Sequence, residues 1–168
     1  MPIAPQDRRI DLLRALRVSA PMLRMAEGAL PHDALRACCS GPPYYAYHGA
    51  RAPAGAEFIP LWDHGDTVFG VRGLDDGLEF VRYSIETPDD CERIATTEQG
   101  FWAAQFDAVY ELDCSIEAME QAAAAVGYRF LSQQLEAREA YEDEPGGYDG
   151  HARWLRELVA QIDASQVP

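Results

Sequence analysis

The residues with the clearest capacity for chemistry are Asp63-His64-Gly65-Asp66, where an imidazole stands among carboxylates beside a glycine. An imidazole flanked in this way can ligate a divalent metal or act as a general base. In an extended strand, neighbouring side chains face opposite ways, so Asp63 and His64 point apart unless a turn at Gly65 folds them together. The other histidines, His32, His48 and His151, stand at no recognisable ligand spacing from this group. Three readings stay open for it: a metal or general-base site, a turn between strands, and an acidic edge that faces a partner.

Other reactive patterns are sparse. The four cysteines, Cys38, Cys39, Cys91 and Cys114, form neither a CxxC pair nor the even framework of a disulfide-stapled domain, so reduced thiols in a cytoplasmic protein are expected. Carboxylates on both sides of Cys91 disfavour its thiolate. There is no GxSxG elbow, no GxGxxG loop and no P-loop, and a chain without lysine has neither a Walker lysine nor a Schiff base. A non-enzyme without metal or cofactor is the expectation.

The elements that position these residues follow from periodicity. Apolar residues from Asp7 to Val18 interleave with Arg8, Arg9, Arg14 and Arg17 at helical spacing. Ser19 and Pro21 start a second short helix, and Pro31 opens a third helical segment ending near Ser40. Ser40 to Glu57 is a loop or broken edge strand dense in Pro, Gly and Ala. It carries Tyr44, Tyr45 and Tyr47, which either cover the sheet or meet a partner. Phe58 to Leu61, Thr67 to Arg72 and Leu78 to Ile85 read as strands of an antiparallel meander, with a turn at Gly73 to Gly77.

Thr87-Pro88-Asp89-Asp90 offers a helix cap, an N1 proline and acids in a first turn. Thr96-Thr97-Glu98-Gln99 reads as a capping box for a helix reaching about Leu112, whose Phe101, Trp102, Phe106, Val109 and Tyr110 share one face as core. Ser115 caps a further helix that Gly127 ends, and Tyr128 to Leu135 leads into another. Glu136 to Gly150 reads as a helix end plus an exposed acidic loop, before a last amphipathic helix from His151 to Ile162. A chain of 168 residues fits a single domain, with a helical C-terminal extension from about residue 115.

Charge narrows the function. The net charge is −14, distributed as +2 over residues 1–57 and −16 over residues 58–168. Such a field repels nucleic acid and anionic membrane and draws basic partners. No run approaches the ~18 apolar residues of a membrane helix. The acids gather around the sheet, at Asp63, Asp66, Asp75, Asp76, Glu79 and Glu86.

The helical start, the strand FIPLWDHGDTVFGV, the short turn, LEFVRYSIE and the helix TTEQGFWAAQFDAVYEL together resemble the SUKH superfamily, shared by many bacterial immunity proteins and a fungal regulator of cell-wall synthesis. The resemblance covers roughly Leu30 to Leu112. Where many members carry a Trp-Gly pair and an Asn-Gly-Gly turn, this chain has Gly41-Pro42-Pro43. The resemblance implies an α+β fold with a central antiparallel sheet packed by N-terminal and C-terminal helices. It also implies binding, without catalysis, of a cognate toxin domain. It supplies no invariant site residues, so the partner-binding candidates rest on charge and exposure: Tyr44, Tyr45, Asp63, Asp66, Asp75, Asp76, Glu142, Asp143 and Glu144. A metal-dependent enzyme using Asp63, His64 and Asp66, and a regulatory scaffold of the same fold without a toxin partner, are the alternatives.

Overall fold

The computed structural model describes residues 3–49, 53, 56–75, 77–142 and 147–166. Strands β1 (Ile59–His64), β2 (Thr67–Leu74), β3 (Gly77–Ser84) and β4 (Glu92–Ala95) form one antiparallel meander in that order. Helices α1 (Arg9–Ala15) and α2 (Ala20–Ala26) and a 3-10 turn (Asp33–Ala37) precede it. Helices α3 (Glu98–Glu111), α4 (Ile116–Val126), α5 (Leu131–Glu142) and α6 (Gly147–Ser165) follow. The chain is α+β.

The sheet is apolar on both faces. Register sets Val71 opposite Phe80 and Phe69 opposite Arg82 on one face, and Val68 opposite Tyr83 and Gly70 opposite Val81 on the other. Helix α3 covers the first face: Phe101 stacks on Phe80 at 4.8 Å between ring centroids and meets Trp62 edge-on at 5.6 Å. Trp62 and Trp102 are completely buried, and the Trp62 indole donates to the Cys38 carbonyl at 3.1 Å. Each such side chain contributes roughly 1.5–3 kcal/mol by leaving water.

Phe58, with Ala46 and Tyr47 of the segment 41–49, covers the second face, where Val68, Val81 and Tyr83 are buried. Gly70 makes this possible, because a Cβ there would stand 2.3 Å from the Phe58 ring and 2.8 Å from the Ile59 carbonyl oxygen.

Two polar devices fix the helices. Buried Arg9 donates to the carbonyls of Pro60 (3.2 Å), Leu61 (3.3 Å) and Ala26 (2.8 Å), tying α1 and the end of α2 to the bulge in β1. Asp163 of α6 accepts from the backbone N–H and hydroxyl of both Thr96 and Thr97 at 2.6–3.0 Å, placing a carboxylate at the positive end of α3.

Local structure departs from the sequence reading in five places. No helix starts at Thr87: residues 87–90 turn, and Glu92–Ala95 joins the open edge of β3, with Arg82 and Glu92 paired across the strands at 2.8 Å. Thr97 is the N-cap of α3, accepting from Gly100 N–H, but the reciprocal half of a capping box is missing. Gln99 instead donates to the Gly127 carbonyl and accepts from Arg129 N–H. Helix α1 stops at Ala15, and Arg17 takes φ 60°. The segment after Pro31 is only a 3-10 turn, started by His32, whose ring accepts from Ala34 N–H. Helix α6 begins at Gly147, ahead of the expected His151.

Gly70→Ala is expected to lower stability by about 1–3 kcal/mol, the range for overfilling a packed site. The measurement is a urea midpoint at unchanged slope; a midpoint equal to wild type would contradict the Phe58 contact.

Candidate functional site

Asp63 lies on β1 facing the loop-covered side of the sheet, and it is only 5 % exposed. Its Oδ2 accepts from the backbone N–H of Tyr44 at 2.7 Å and of Tyr45 at 2.9 Å. A carboxylate holding two amides is a charge-assisted clamp, and such bonds are stronger than neutral ones. The expectation that Asp63 presents its charge to a partner is therefore corrected: strand alternation turns it inward, where it anchors the loop.

What it anchors is exposed. Tyr44 is 58 % and Tyr45 37 % accessible, with their rings edge-to-face at 5.7 Å. Tyr44 also stacks flat on His48 at 4.2 Å and 7°, while His48 Nδ1 lies 2.8 Å from the Tyr44 carbonyl. Tyr47 behaves differently, tucking against the sheet with its hydroxyl donating to the Ala4 carbonyl. Two of these tyrosines thus stand outward and the third covers the sheet.

The Asp-His-Gly-Asp group does not converge. Gly65 and Asp66 form the turn between β1 and β2, with Gly65 at φ 60°. His64 falls on the helix face, where its Nδ1 pairs with Ser40 Oγ at 3.2 Å, on the side of the strand away from Asp63. Asp66 is exposed and accepts from Thr67 and Ser84 hydroxyls. Asp75 is exposed at the tip of the β2–β3 turn. Asp76, Asp143 and Glu144 lie outside the described residues, as does the side chain of Glu142.

Cys38 and Cys39 are poor nucleophiles. Burial pushes the Cys39 thiol up to about 11, with nearby Asp63 adding to the effect and a backbone hydrogen bond from Gly41 opposing it. Burial raises Cys38 further still, and its Sγ donates to the Leu35 carbonyl. Tyr83, under the loop, is raised to about 12 by burial first and by Asp63 second.

A second charged centre joins α3, α5 and α6. Arg138 of α5 is buried and bonds Asp107 and Glu111, one turn apart on α3; its guanidinium lies 4.6 Å from the Tyr110 ring centroid and 5.6 Å from that of Trp154. His151 of α6 pairs with the other Asp107 oxygen at 2.9 Å. The Arg138 hydrogen bond holds the Glu111 carboxyl below its ordinary value. Asp107, Glu111 and His151 are the described residues placed closely enough to ligate one cation. Arg138 already supplies the positive charge there, however, and would repel a metal ion. Sequence reading missed this group; its trace is a pair of acids at i and i+4 on the helix with the aromatic core.

Beside this centre a cleft of about 720 Å³ opens between α3, the N-terminal part of α6 and the His64, Thr67 and Arg82 side of the sheet. Gln105, Asp107, Glu111 and His151 line it, and Tyr148 and Leu112 stand among its lining residues.

No family model, curated protein or solved structure matches the chain. None of the described helices is long and apolar enough to cross a membrane.

Two outcomes test this geometry. Asp63→Ala is expected to cost about 1–3 kcal/mol by stranding two amides, and to speed proteolytic cleavage within residues 41–49; unchanged cleavage would contradict the clamp. Because Glu111 is held below its unfolded value near 4.3, its contribution is full above that pH and is lost as pH falls through the folded value. The melting-temperature gap between wild type and Glu111→Gln should therefore be largest near pH 7 and close towards pH 3. A gap independent of pH would contradict the Arg138 bond.

Proposed function

We propose that this chain is a non-catalytic, cofactor-free immunity protein of the SUKH type, which binds a cognate toxin domain in the cytoplasm through an acidic and aromatic surface. The observation that carries the reading is the Tyr44-Tyr45-His48 platform, exposed in its side chains yet fixed in its backbone by buried Asp63. Tyrosine gives contact area at small entropic loss, and a backbone ordered in advance reduces the loss further. Asp66 and Asp75 place exposed charge on the same sheet, within a region of balance −16.

A toxin cleft that grips nucleic acid or nucleotide is positively charged. An acidic surface occludes it by presenting the charge of its substrate, and the field speeds the encounter. The separation of Asp63 from His64 on opposite strand faces weighs against the metal-dependent enzyme. Gene neighbourhood distinguishes the immunity protein from a regulatory scaffold, since an immunity gene lies beside its toxin gene.

Co-expression with the C-terminal domain encoded by the adjacent upstream gene is expected to relieve that domain's toxicity. Tyr44→Ala with Tyr45→Ala should weaken binding at least tenfold, about 1.4 kcal/mol. Asp66→Arg with Asp75→Arg should slow association and flatten its dependence on salt. Binding indifferent to salt and to both pairs of substitutions would overturn the reading.

A further inference from the structure

The cleft beside α3 does not end at Arg82. It continues as a groove of about 150 Å³ past Arg82 and Glu92, and then as one of about 400 Å³ between β4 and the C-terminal half of α6. Arg93 of β4 and Arg156 of α6 line both of these grooves. They belong to separate elements, and only the fold brings them together.

These two arginines lack a counter-charge. Every carboxylate that lines the two grooves is already engaged: Glu92 by Arg82, Asp107 by Arg138 and His151, and both oxygens of Asp163 by Thr96 and Thr97. Arg93 and Arg156 are exposed and make no hydrogen bond or ion pair among the described residues. In residues 58–168 acids outnumber arginines 23 to 7, and Arg72, Arg82 and Arg138 each hold a carboxylate. Two like charges left together on one groove repel each other, and the protein supplies nothing that offsets it.

The chemistry of the groove selects the ligand. A guanidinium presents a fork of N–H donors that fits phosphate oxygens. Two forks carry a charge of +2, which a phosphate monoester of about −2 balances and a single carboxylate does not. Ile94, Val159, Ala160 and Ala164 give the groove an apolar floor on which a carbon body can lie. Its volume falls within the roughly 300–1,000 Å³ of ligand-holding clefts. The negative field of the rest of the chain is screened over about 8 Å at physiological salt, whereas the forks act at hydrogen-bond distance.

We propose that the groove between β4 and α6 is a binding site for a small-molecule phosphate monoester, whose phosphoryl oxygens accept from Arg93 and Arg156 while its carbon body lies on the Ile94 and Val159 floor. The site shares no residue with the Tyr44-Tyr45-His48 platform, and it stands independently of the immunity reading.

The test titrates phenyl phosphate into the 15N-labelled full chain at about pH 7.5, above the second phosphate pKa near 6. It follows the arginine Nε–H signals and the backbone of residues 92–97 and 156–164. Saturable shifts are expected there, with affinity that falls as salt rises. Benzyl alcohol, which keeps an apolar ring without the charge, should give no saturable shift, and benzoate should bind at least threefold more weakly than phenyl phosphate. Arg93→Gln and Arg156→Gln should each weaken binding at least tenfold, about 1.4 kcal/mol. Neither should lower the melting temperature, since each removes a charge without a partner. Arg24→Gln, which alters an exposed arginine of α2 outside the groove, should leave binding unchanged. Acetyl-Gly-phosphotyrosine-Gly-amide should bind no more tightly than phenyl phosphate; a tenfold gain would assign the site to a phosphorylated protein segment and overturn the small-molecule form. Equal binding of benzoate, an equal loss in Arg24→Gln, shifts confined elsewhere, or affinity indifferent to both groove arginines would overturn the site itself.

Discussion

A four-stranded sheet that is apolar on both faces must be covered twice, and only one cover in this protein is a helix. Helix α3 lays Phe101, Trp102 and Phe106 against or beside the Trp62–Phe69–Phe80 face, where burial of large rings supplies the driving force. The opposite face is covered by Phe58 and an irregular segment. Irregular backbone brings amides that no ladder satisfies. Asp63 meets that demand by facing inward and taking two of them, and Gly70 makes room by having no side chain. The exposed tyrosines are a consequence: once the backbone at residues 44 and 45 is fixed against the sheet, their rings project away from it.

The same covering problem recurs one layer out. Helix α3 carries Asp107 and Glu111 one turn apart, and α5 and α6 close over them where Arg138 and His151 arrive with the complementary groups. Breaking such a buried cluster by removing one partner is more disruptive than its net strength implies, since an unpaired charge remains. At its other end α6 delivers Asp163 to the start of α3, so α3 and α6 run antiparallel and are fixed at both ends. The cleft lies where α6 leaves the sheet uncovered beyond small residues Ala104, Ala108 and Ala152.

The meander, the caps at Ser19 and Ser115, the left-handed Gly127 and the aromatic face of α3 were legible in the sequence, because each depends on residues within a few positions of one another. Strand β4 was not: the local signals at Thr87 to Asp90 favour a helix start, and the unpaired edge of β3 prevails. Asp63 was misplaced for a similar reason. Strand alternation says that it faces away from His64, but only the return of the loop decides which face is solvent. The Arg138 centre was hidden by distance along the chain, with His151 and Asp107 standing 44 positions apart.

The central claim is that the surface built on the Asp63-anchored loop meets a protein partner. Hydrogen–deuterium exchange of the chain, alone and with the C-terminal domain encoded by the adjacent upstream gene, addresses this directly. The account predicts new protection at the amides of residues 45–48 and in the Gly65 to Thr67 turn, with affinity that falls as salt rises. Protection confined to α4 and the far side of α5, or complex formation that leaves the loop exchanging as in the free protein, would contradict it.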